Sequence, residues 1–403
     1  MAVAGKVSPF VTDLSAVNML ISFCVSMFSY TVFLFLEAYS VPIYYAGLGL
    51  SLGQALSIIS AVYVGRMNDK GHSFSMMFYG ALVYSLGIIA IYSVANQHFL
   101  LLVTVPIVII ALIVFEGFFR SSLNVFVSKS VSREMLGASY SRINALELIG
   151  SAFSFVVLLT AALSNNLGIV YLASGTILFL ASIWVFSMLH RKERNRLIVE
   201  MNSVPRPGFL ESLRAMKAKG NAVASIVITK ALMTVGTLTF TYFYLLSGEY
   251  VGVGLEYLFA TLAAAFVLGA VFSRIGERLM ARGLDLGRKS YVYMALNDVL
   301  TYSILLAAVF FGSKLLIILS VFSSSTNPIF SAGILSYDVK AIGKENRGMF
   351  GGVQRLTIGT FSAVALLPLT FLYLADSLMV WAVVVIVSIA SVITSLMVPK
   401  LPA

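Results

Sequence analysis

The most regular feature of the chain is a series of long apolar runs, separated by short segments that hold charged residues, Pro, Gly or Asn. A helix needs about 20 mostly apolar residues to cross a membrane, and each run reaches that length. The pattern therefore predicts twelve membrane-spanning helices, called spans below. Their predicted ranges are 16–38, 44–64, 74–95, 98–127, 139–164, 168–189, 221–246, 253–273, 290–312, 315–337, 349–373 and 377–398.

Composition agrees with a membrane protein. Of the 403 residues, 59% are hydrophobic and 11% are charged, whereas soluble domains carry about 25% charged residues. This balance excludes a soluble enzyme and a soluble nucleic-acid-binding domain. The single cysteine, Cys24, excludes an intrachain disulfide framework. The expected fold class is an all-α integral membrane protein.

The basic residues predict how the chain is oriented in the membrane. The formal net charge is +10, with 27 Lys and Arg residues. If the N-terminus is cytoplasmic, the connections on the outer side hold only Lys314 among these residues. Cytoplasmic connections of membrane proteins are enriched in Lys and Arg. We therefore predict a multi-pass protein of the plasma membrane with both termini in the cytoplasm, and we assign the positive charge to topology, without a nucleic-acid partner.

A polar stretch at 190–220 divides the spans into six and six. We predict an N-terminal six-helix bundle at 1–190, a cytoplasmic central loop at 191–220 and a C-terminal six-helix bundle at 221–403. One helical face of the loop is apolar, which indicates a short amphipathic helix at the membrane interface; a solvated linker is the alternative. The residues of that face are Phe209, Leu210, Leu213 and Met216.

The two halves share short patterns at equivalent places. Residues 65–71 read Gly-Arg-Met-Asn-Asp-Lys-Gly, and residues 269–276 read Gly-Ala-Val-Phe-Ser-Arg-Ile-Gly, at an offset near 205. A second pair, 134–137 and 345–348, has the same Glu-to-Gly spacing at an offset of 211. Duplicated halves with a site between them are a common plan of secondary transporters. The repeats therefore predict two pseudo-symmetric bundles.

On this layout the chain resembles the major facilitator superfamily of transporters over essentially its full length. The segment 65–73 resembles the family signature Gly-x-x-x-Asp-Arg/Lys-x-Gly-x-Arg/Lys-Arg/Lys between the second and third spans. It departs in two ways, since one residue is missing before the second glycine and His72 and Ser73 replace the basic pair. The resemblance implies a conformational gate that stabilises the outward-open state. Its residues would be Gly65, Asp69, Lys70, Gly71 and Arg274.

Two observations bear on how far this resemblance extends. Asp69 and Lys70 are also ordinary turn residues, which is the alternative to the gate. The drug/proton antiporters of the family carry Gly-x-x-x-Gly-Pro in the fifth span, whereas residues 150–157 of this chain contain no proline. This difference weakens the case for drug efflux.

Ionisable residues within the spans are the main functional candidates. Such a residue costs about 2.5–3.5 kcal/mol to insert at the membrane centre. The resemblance implies that spans 1, 4, 7 and 10 line the central cavity, so we expect Glu116, Arg120 and Lys230 to bind substrate. A carboxyl group such as Glu116 can also exchange protons with a gradient. The alternative for Glu116 and Arg120 is a static ion pair. The resemblance also implies that Glu147 and Asp298 lie on spans beside or outside the cavity, where structural pairing is expected.

Polar residues on other spans complete the predicted substrate site. The tenth span contains Ser324, Asn327 and the helix-breaking Pro328, and an irregular backbone at membrane depth is tolerated where it lines a cavity. Small hydroxyl residues also promote close helix packing, which is the alternative there. Thr234 on the seventh span and Tyr30 on the first are the remaining candidates.

These observations predict a secondary active transporter that moves a small polar or zwitterionic solute by alternating access, with proton coupling through Glu116. The expected partners are the solute, a proton or another coupling ion, and the lipid bilayer, and a monomer is expected. An efflux antiporter for amphipathic compounds and a non-transporting membrane sensor with the same fold are the alternatives. No nucleotide or metal-binding motif is present, so neither an enzyme nor a bound cofactor or metal is expected.

Overall fold

The computed structural model describes residues 9–95, 97–130, 136–163, 167–188, 220–281, 287–342 and 347–400. Within these ranges the chain is helical and contains no strand. The helices are α1 (Pro9–Ala38), α2 (Tyr44–Asp69), α3 (Ser73–Val94), α4 (His98–Ser130), α5 (Leu136–Leu163), α6 (Leu167–Met188), α7 (Gly220–Tyr250), α8 (Leu255–Ala281), α9 (Lys289–Phe311), α10 (Lys314–Ser324), α11 (Asn327–Ile342), α12 (Arg347–Ala375) and α13 (Ser377–Leu396).

The prediction of twelve spans is confirmed, since twelve segments of the described residues are long and apolar enough to cross a membrane. The tenth span differs from an uninterrupted helix because it consists of α10 and α11, joined at Ser325 and Thr326. Pro328 explains this break, since it has no N–H group and its ring crowds the preceding turn. Large apolar side chains such as Ile59, Phe99 and Val364 are exposed on the outside, as a lipid-facing surface requires. The protein is a multi-pass membrane protein.

Within each bundle the helices approach closely at small residues. Gly150 of α5 faces the backbone carbonyl of Met19 on α1, and a Cβ atom at Gly150 would overlap that oxygen. In the second bundle, Gly236 of α7 lies against Tyr302 of α9, and a Cβ atom would come within 2.7 Å of the ring. Close backbone packing of this kind stabilises helix pairs in lipid, where no hydrophobic effect draws helices together.

The two bundles meet mainly along two helix pairs, α2 with α12 and α5 with α8, and also where α1 contacts α7 and where α5 contacts α11. Between α5 and α8, the Ser273 hydroxyl donates to the Ser141 carbonyl at 2.7 Å, and the Ser141 hydroxyl donates to the Ser273 carbonyl. Between α2 and α12, Gly359 packs against Ile58 and the carbonyl of Gln54. The space between these two interfaces is the candidate site.

Two ends of the molecule are distinguished below. The α2–α3 end holds the turn between α2 and α3, and the α1–α2 end holds the connection between α1 and α2. The sequence predicts that the α2–α3 end is cytoplasmic. The central loop with its predicted amphipathic helix lies outside the described residues, as do residues 134 and 345 of the second repeat pair.

Candidate functional site

A cavity of about 660 Å³ lies between the two bundles, within the range of about 300–1,000 Å³ that small-molecule sites occupy. Helices α1, α2, α4 and α5 line it from the first bundle, and α7, α8, α11 and α12 line it from the second. Many of the lining residues are polar. They are Ser26, Ser29, Tyr30, Gln54, Ser57, Asn68, Glu116, Arg120, Ser121, Asn124, Tyr140, Glu147, Ser151, Thr234, Thr237, Thr241, Tyr242, Asp338 and Gln354.

Aromatic side chains close the cavity toward the α1–α2 end. The ring of Phe33 on α1 lies 5.7 Å from that of Tyr242 and 5.2 Å from that of Phe243, both on α7. The three side chains are buried, so α1 and α7 are in direct contact here. The lining residues nearest the other end, such as Asn68 and Asn124, lie close to the α2–α3 end. The cavity therefore extends toward the α2–α3 end and is closed at the opposite one.

Arg120 is the centre of a charged cluster on the cavity wall. Its Nε donates to Glu116 Oε1 at 2.7 Å, one helical turn away on α4, and its Nη1 is bonded to Glu147 Oε1 on α5. The amide of Asn18 on α1 donates to the second oxygen of Glu147 at 3.3 Å. The side chains of Arg120, Glu116 and Glu147 are 33%, 26% and 25% exposed. One cation and two carboxylates leave this cluster, called the Arg120 cluster below, with a formal surplus of one negative charge.

The Arg120 cluster contains a residue that the sequence analysis assigned elsewhere. Glu147 was expected in a structural pair beside the cavity, whereas it lines the cavity and shares Arg120 with Glu116. The sequence does contain a pattern that indicates a cavity-facing position for Glu147. Asn144, Glu147 and Ser151 are spaced by three and four residues, so they form a polar stripe along one face of an otherwise apolar helix.

Lys230 is bonded to a partner that the sequence analysis did not consider. Its ammonium group bonds to Asp338 of α11, and the hydroxyl of Tyr291 on α9 donates to the other oxygen of Asp338. The side chains of Lys230 and Asp338 are only 11% and 7% exposed. Among the lining residues that the structure describes, Asp338 is present and Lys230 is not. Substrate contact by Lys230 stays a prediction, and the structure places its ammonium group behind Asp338.

The other predicted substrate residues fall into two groups. Tyr30 and Thr234 line the cavity. Ser324 and Asn327 lie at the break between α10 and α11, where the amide of Asn327 donates to Asp298 at 2.8 Å, and neither is among the described lining residues. Solute contact by these two residues stays a prediction. In the part of the chain that the structure describes, no cluster of three His, Cys, Asp or Glu side chains could hold a metal ion.

The predicted gate residues lie near the α2–α3 end. Gly65 lines the cavity, and Gly71 has φ +85°, a left-handed conformation that favours glycine. Lys70 is exposed, and the side chain of Asp69 lies outside the described part of the structure. Arg274 forms a salt bridge of 2.6 Å with Glu277 on α8. The gating role of these residues stays a prediction.

Several transporters of known structure have a similar fold. The human organic anion transporter MFSD10 (TETRAN) is 13% identical, with a TM-score of 0.64 over 96% of this chain and 98% of that chain. The nucleoside transporter NupG is 11% identical, with a TM-score of 0.65 over 96% and 98%. The xylose transporter XylE from E. coli, in a partially occluded inward open conformation, is 10% identical, with a TM-score of 0.66 over 95% of each chain. At these identities the likeness shows the fold alone.

The family comparison agrees with the structural one. No curated protein matches the sequence. The family model described as Major Facilitator Superfamily matches residues 14–366, a range that includes every charged residue of the cavity wall. The family and the structural neighbours are transporters, and the resemblance predicted from the 65–73 turn and the two-bundle layout is confirmed. The chain belongs to the Major Facilitator Superfamily.

Proposed function

We propose that this protein is a secondary active transporter of the plasma membrane that moves a small polar solute by alternating access. The observation that carries the proposal is the cavity between the bundles, on whose wall Arg120 binds two carboxylates from different helices. A partly hydrated charged cluster at membrane depth is costly, which favours a role in solute or ion binding. Such a carrier performs no covalent chemistry on its solute, so we do not propose an enzyme.

The same arrangement suggests which state of the transport cycle the structure represents. The basic connections favour a cytoplasmic α2–α3 end. The cavity then lies toward the cytoplasm, and the Phe33 contacts with α7 close the outer side. Alternating access requires those contacts to separate while the α2–α3 end closes. The predicted gate residues would hold that closed end in the outward-facing state. They are Gly65, Asp69, Lys70, Gly71 and Arg274.

The charges of the cavity wall favour a particular class of solute. Among the lining residues that the structure describes, the charged groups are the three carboxylates of Glu116, Glu147 and Asp338 and the guanidinium group of Arg120. Lys230 neutralises Asp338 from behind, so the surplus negative charge belongs to the Arg120 cluster. A solute with an ammonium group and further polar groups complements this wall. Tyr30 and Thr234 then supply hydroxyl groups for its polar part.

Glu116 is the proposed site of proton coupling. Arg120 binds Glu116 and Glu147 together, so protonation of Glu116 leaves the arginine with a carboxylate partner. The formal charge of the Arg120 cluster then changes from −1 to 0, and the guanidinium group keeps its bond to Glu147. A solute with a positive charge and a proton would compete for the same surplus charge. Because the solute and the proton compete for the same site, the protein could exchange the solute for a proton across the membrane.

Proteoliposomes test both parts of the proposal. A thermal-shift screen of the purified protein against metabolites first identifies a solute, and counterflow and gradient-driven accumulation are then measured for wild type and Glu116→Gln. We expect counterflow to persist in E116Q and pH-gradient-driven accumulation to be lost. Glu256→Gln, at the first turn of α8 and outside the cavity lining, is the matched control. Full accumulation by E116Q would exclude Glu116 as the coupling residue, and ligand binding without counterflow would indicate a sensor.

A further inference from the structure

The break in the tenth span is held by side chains of α9. Because Pro328 has no N–H, the carbonyl of Ser324 lacks its usual helical donor. The preceding carbonyl, that of Ser323, accepts a hydrogen bond from the amide of Asn297 at 3.1 Å. Ser323 is also bonded through its hydroxyl to Thr301 of α9 at 3.0 Å. Helix α9 therefore stabilises the broken backbone through polar side chains.

These contacts form a chain that begins at one carboxyl group. The amide of Asn327, the first residue of α11, donates to Asp298 Oδ1 at 2.8 Å. The carbonyl oxygen of the Asn327 side chain accepts from Asn297 at 2.8 Å, and Asn297 in turn bonds the Ser323 carbonyl. A continuous path of hydrogen bonds thus connects Asp298 to Ser323, in the last turn of α10.

Asp298 itself is buried and incompletely satisfied. Its side chain is 1% exposed, and its Oδ2 atom has no hydrogen-bond partner. In the described ranges it forms no salt bridge. A buried, unpaired carboxylate carries a large desolvation penalty, so this position favours uptake of a proton. A protonated carboxyl group is also a weaker acceptor, because charge-assisted hydrogen bonds are about twice as strong as neutral ones.

Helix α9 packs against α7, α10, α11 and α13, and the ionisable residues of these helices include Tyr242, Tyr244 and Glu249 of α7 and Tyr337 and Lys340 of α11. Tyr302 lies one turn further along α9, on the same face as Asp298. Lys230 of α7 is bonded to Asp338 of α11, and Lys314 lies at the first residue of α10. Helix α13 holds no charged residue between 377 and 396. Of these groups, Tyr302 is the nearest to Asp298 along α9.

Tyr302 also packs against α7, a helix that lines the cavity. Its ring packs against Gly236 and lies 6.3 Å from the ring of Phe240, both on α7, and Thr237 of the same helix lines the cavity and is exposed. Helical side chains lean toward the N-terminus of their helix, so Tyr302 leans toward Asp298.

We propose that Asp298 is a proton-binding site, separate from the Arg120 cluster, and that its protonation loosens the break between α10 and α11. When Asp298 is charged, it holds Asn327 and, through Asn297, the carbonyl of Ser323. When it is neutral, the bond to Asn327 weakens and α11 bends more freely relative to α10. This inference concerns protonation and helix bending, so it does not depend on which solute is carried.

Infrared difference spectroscopy of the purified wild-type protein tests the proton site. Between acidic and alkaline pH we expect a carboxyl C=O band that disappears as a group ionises. The band should be missing from Asp298→Asn and present in Glu116→Gln, the matched carboxyl variant. If D298N does not fold, labelling of wild type with ¹³C-aspartate should move the band, and Asn327→Ala should change its frequency. A pH-dependent difference spectrum that is identical in wild type and D298N would overturn the proposal.

Hydrogen exchange measured by mass spectrometry tests the effect on the break. At a pH where wild-type Asp298 is charged, D298N mimics the neutral state, and we expect exchange across 320–331 to rise at least threefold. Exchange in α13 should not change, because that helix makes none of these hydrogen bonds. Equal exchange across 320–331 in the two proteins would show that the charge of Asp298 does not control the break.

Discussion

The two bundles each place a cation against a carboxylate from another helix, but in different surroundings. The Arg120 cluster of the first bundle is one quarter to one third exposed, and it has two carboxylates for one cation. The Lys230–Asp338 pair of the second bundle is nearly buried and has balanced charges, with Tyr291 as a further donor. The Arg120 cluster is thus reached by water and carries a surplus negative charge, whereas the Lys230–Asp338 pair is shielded from water and has no surplus charge.

This difference indicates different roles. Exposed ion pairs contribute little to stability because water and salt screen them. The Arg120 cluster therefore contributes little to the stability of the α4–α5 pair. Removing one partner of a buried pair leaves an uncompensated charge and is strongly destabilising. The Lys230–Asp338 pair therefore fixes α7, α9 and α11, whereas the Arg120 cluster remains available to a solute or proton.

The largest expected effect follows from removing Arg120. In Arg120→Ala, Glu116 and Glu147 would repel each other across the cavity, and the solute site would lose its only described guanidinium group. We expect solute exchange in proteoliposomes to fall at least tenfold, with a small change in thermal stability. Arg120→Lys is the control, since it keeps the charge but not the fork that binds two carboxylates, and it should retain partial exchange. Wild-type exchange in R120A would contradict the assignment of solute binding to this cluster.

Removing Lys230 should affect stability first. Lys230→Ala leaves Asp338 charged and nearly buried, so we expect a loss of about 3–5 kcal/mol in unfolding free energy, measured by thermal unfolding in detergent. The double variant Lys230→Met with Asp338→Leu removes both charges, and its stability should return close to that of wild type.

The double variant also decides between structure and substrate contact for Lys230. A stable double variant that still exchanges solute would limit Lys230 to holding the helices. A stable double variant that has lost exchange would place the pair within the solute site, as the sequence analysis predicted for Lys230.

Most of the fold could be predicted from the sequence because the membrane restricts the chain to apolar helices of nearly fixed length. The twelve spans follow from that restriction, and their division into six and six follows from the polar stretch at 190–220. The break between α10 and α11 was only partly visible, since Pro328 indicated an irregular backbone but not the position of the joint. Its stabilisation by Asn297 and Asp298 depends on how α9 packs, which one sequence does not specify.

The candidate site was predicted less completely, because partners from distant helices are set by packing. The pairing of Glu116 with Arg120 follows from their spacing of four residues, whereas the bond from Arg120 to Glu147 spans 27 residues. Asp338 was missed because the predicted tenth span ended at 337, one residue before it. A lysine within a span either faces water or pairs with an acceptor such as a carboxylate, and the nearby Asp338 was the available candidate.

The smallest expected effect concerns the hydroxyl group that supports the buried pair. Tyr291→Phe keeps the buried ring but removes the hydrogen bond to Asp338, and bonds to charged groups contribute about 1.5–3 kcal/mol. The matched control is Tyr337→Phe, whose ring contacts that of Tyr291 at 5.8 Å and whose hydroxyl donates to the Pro399 carbonyl, a neutral bond of about 0.5–1.5 kcal/mol. Thermal unfolding should therefore show a larger loss for Y291F than for Y337F, with solute exchange close to wild type in both. Equal losses would show that water reaches Asp338 as it reaches the Arg120 cluster, and the distinction between the bundles would then rest on surplus charge alone.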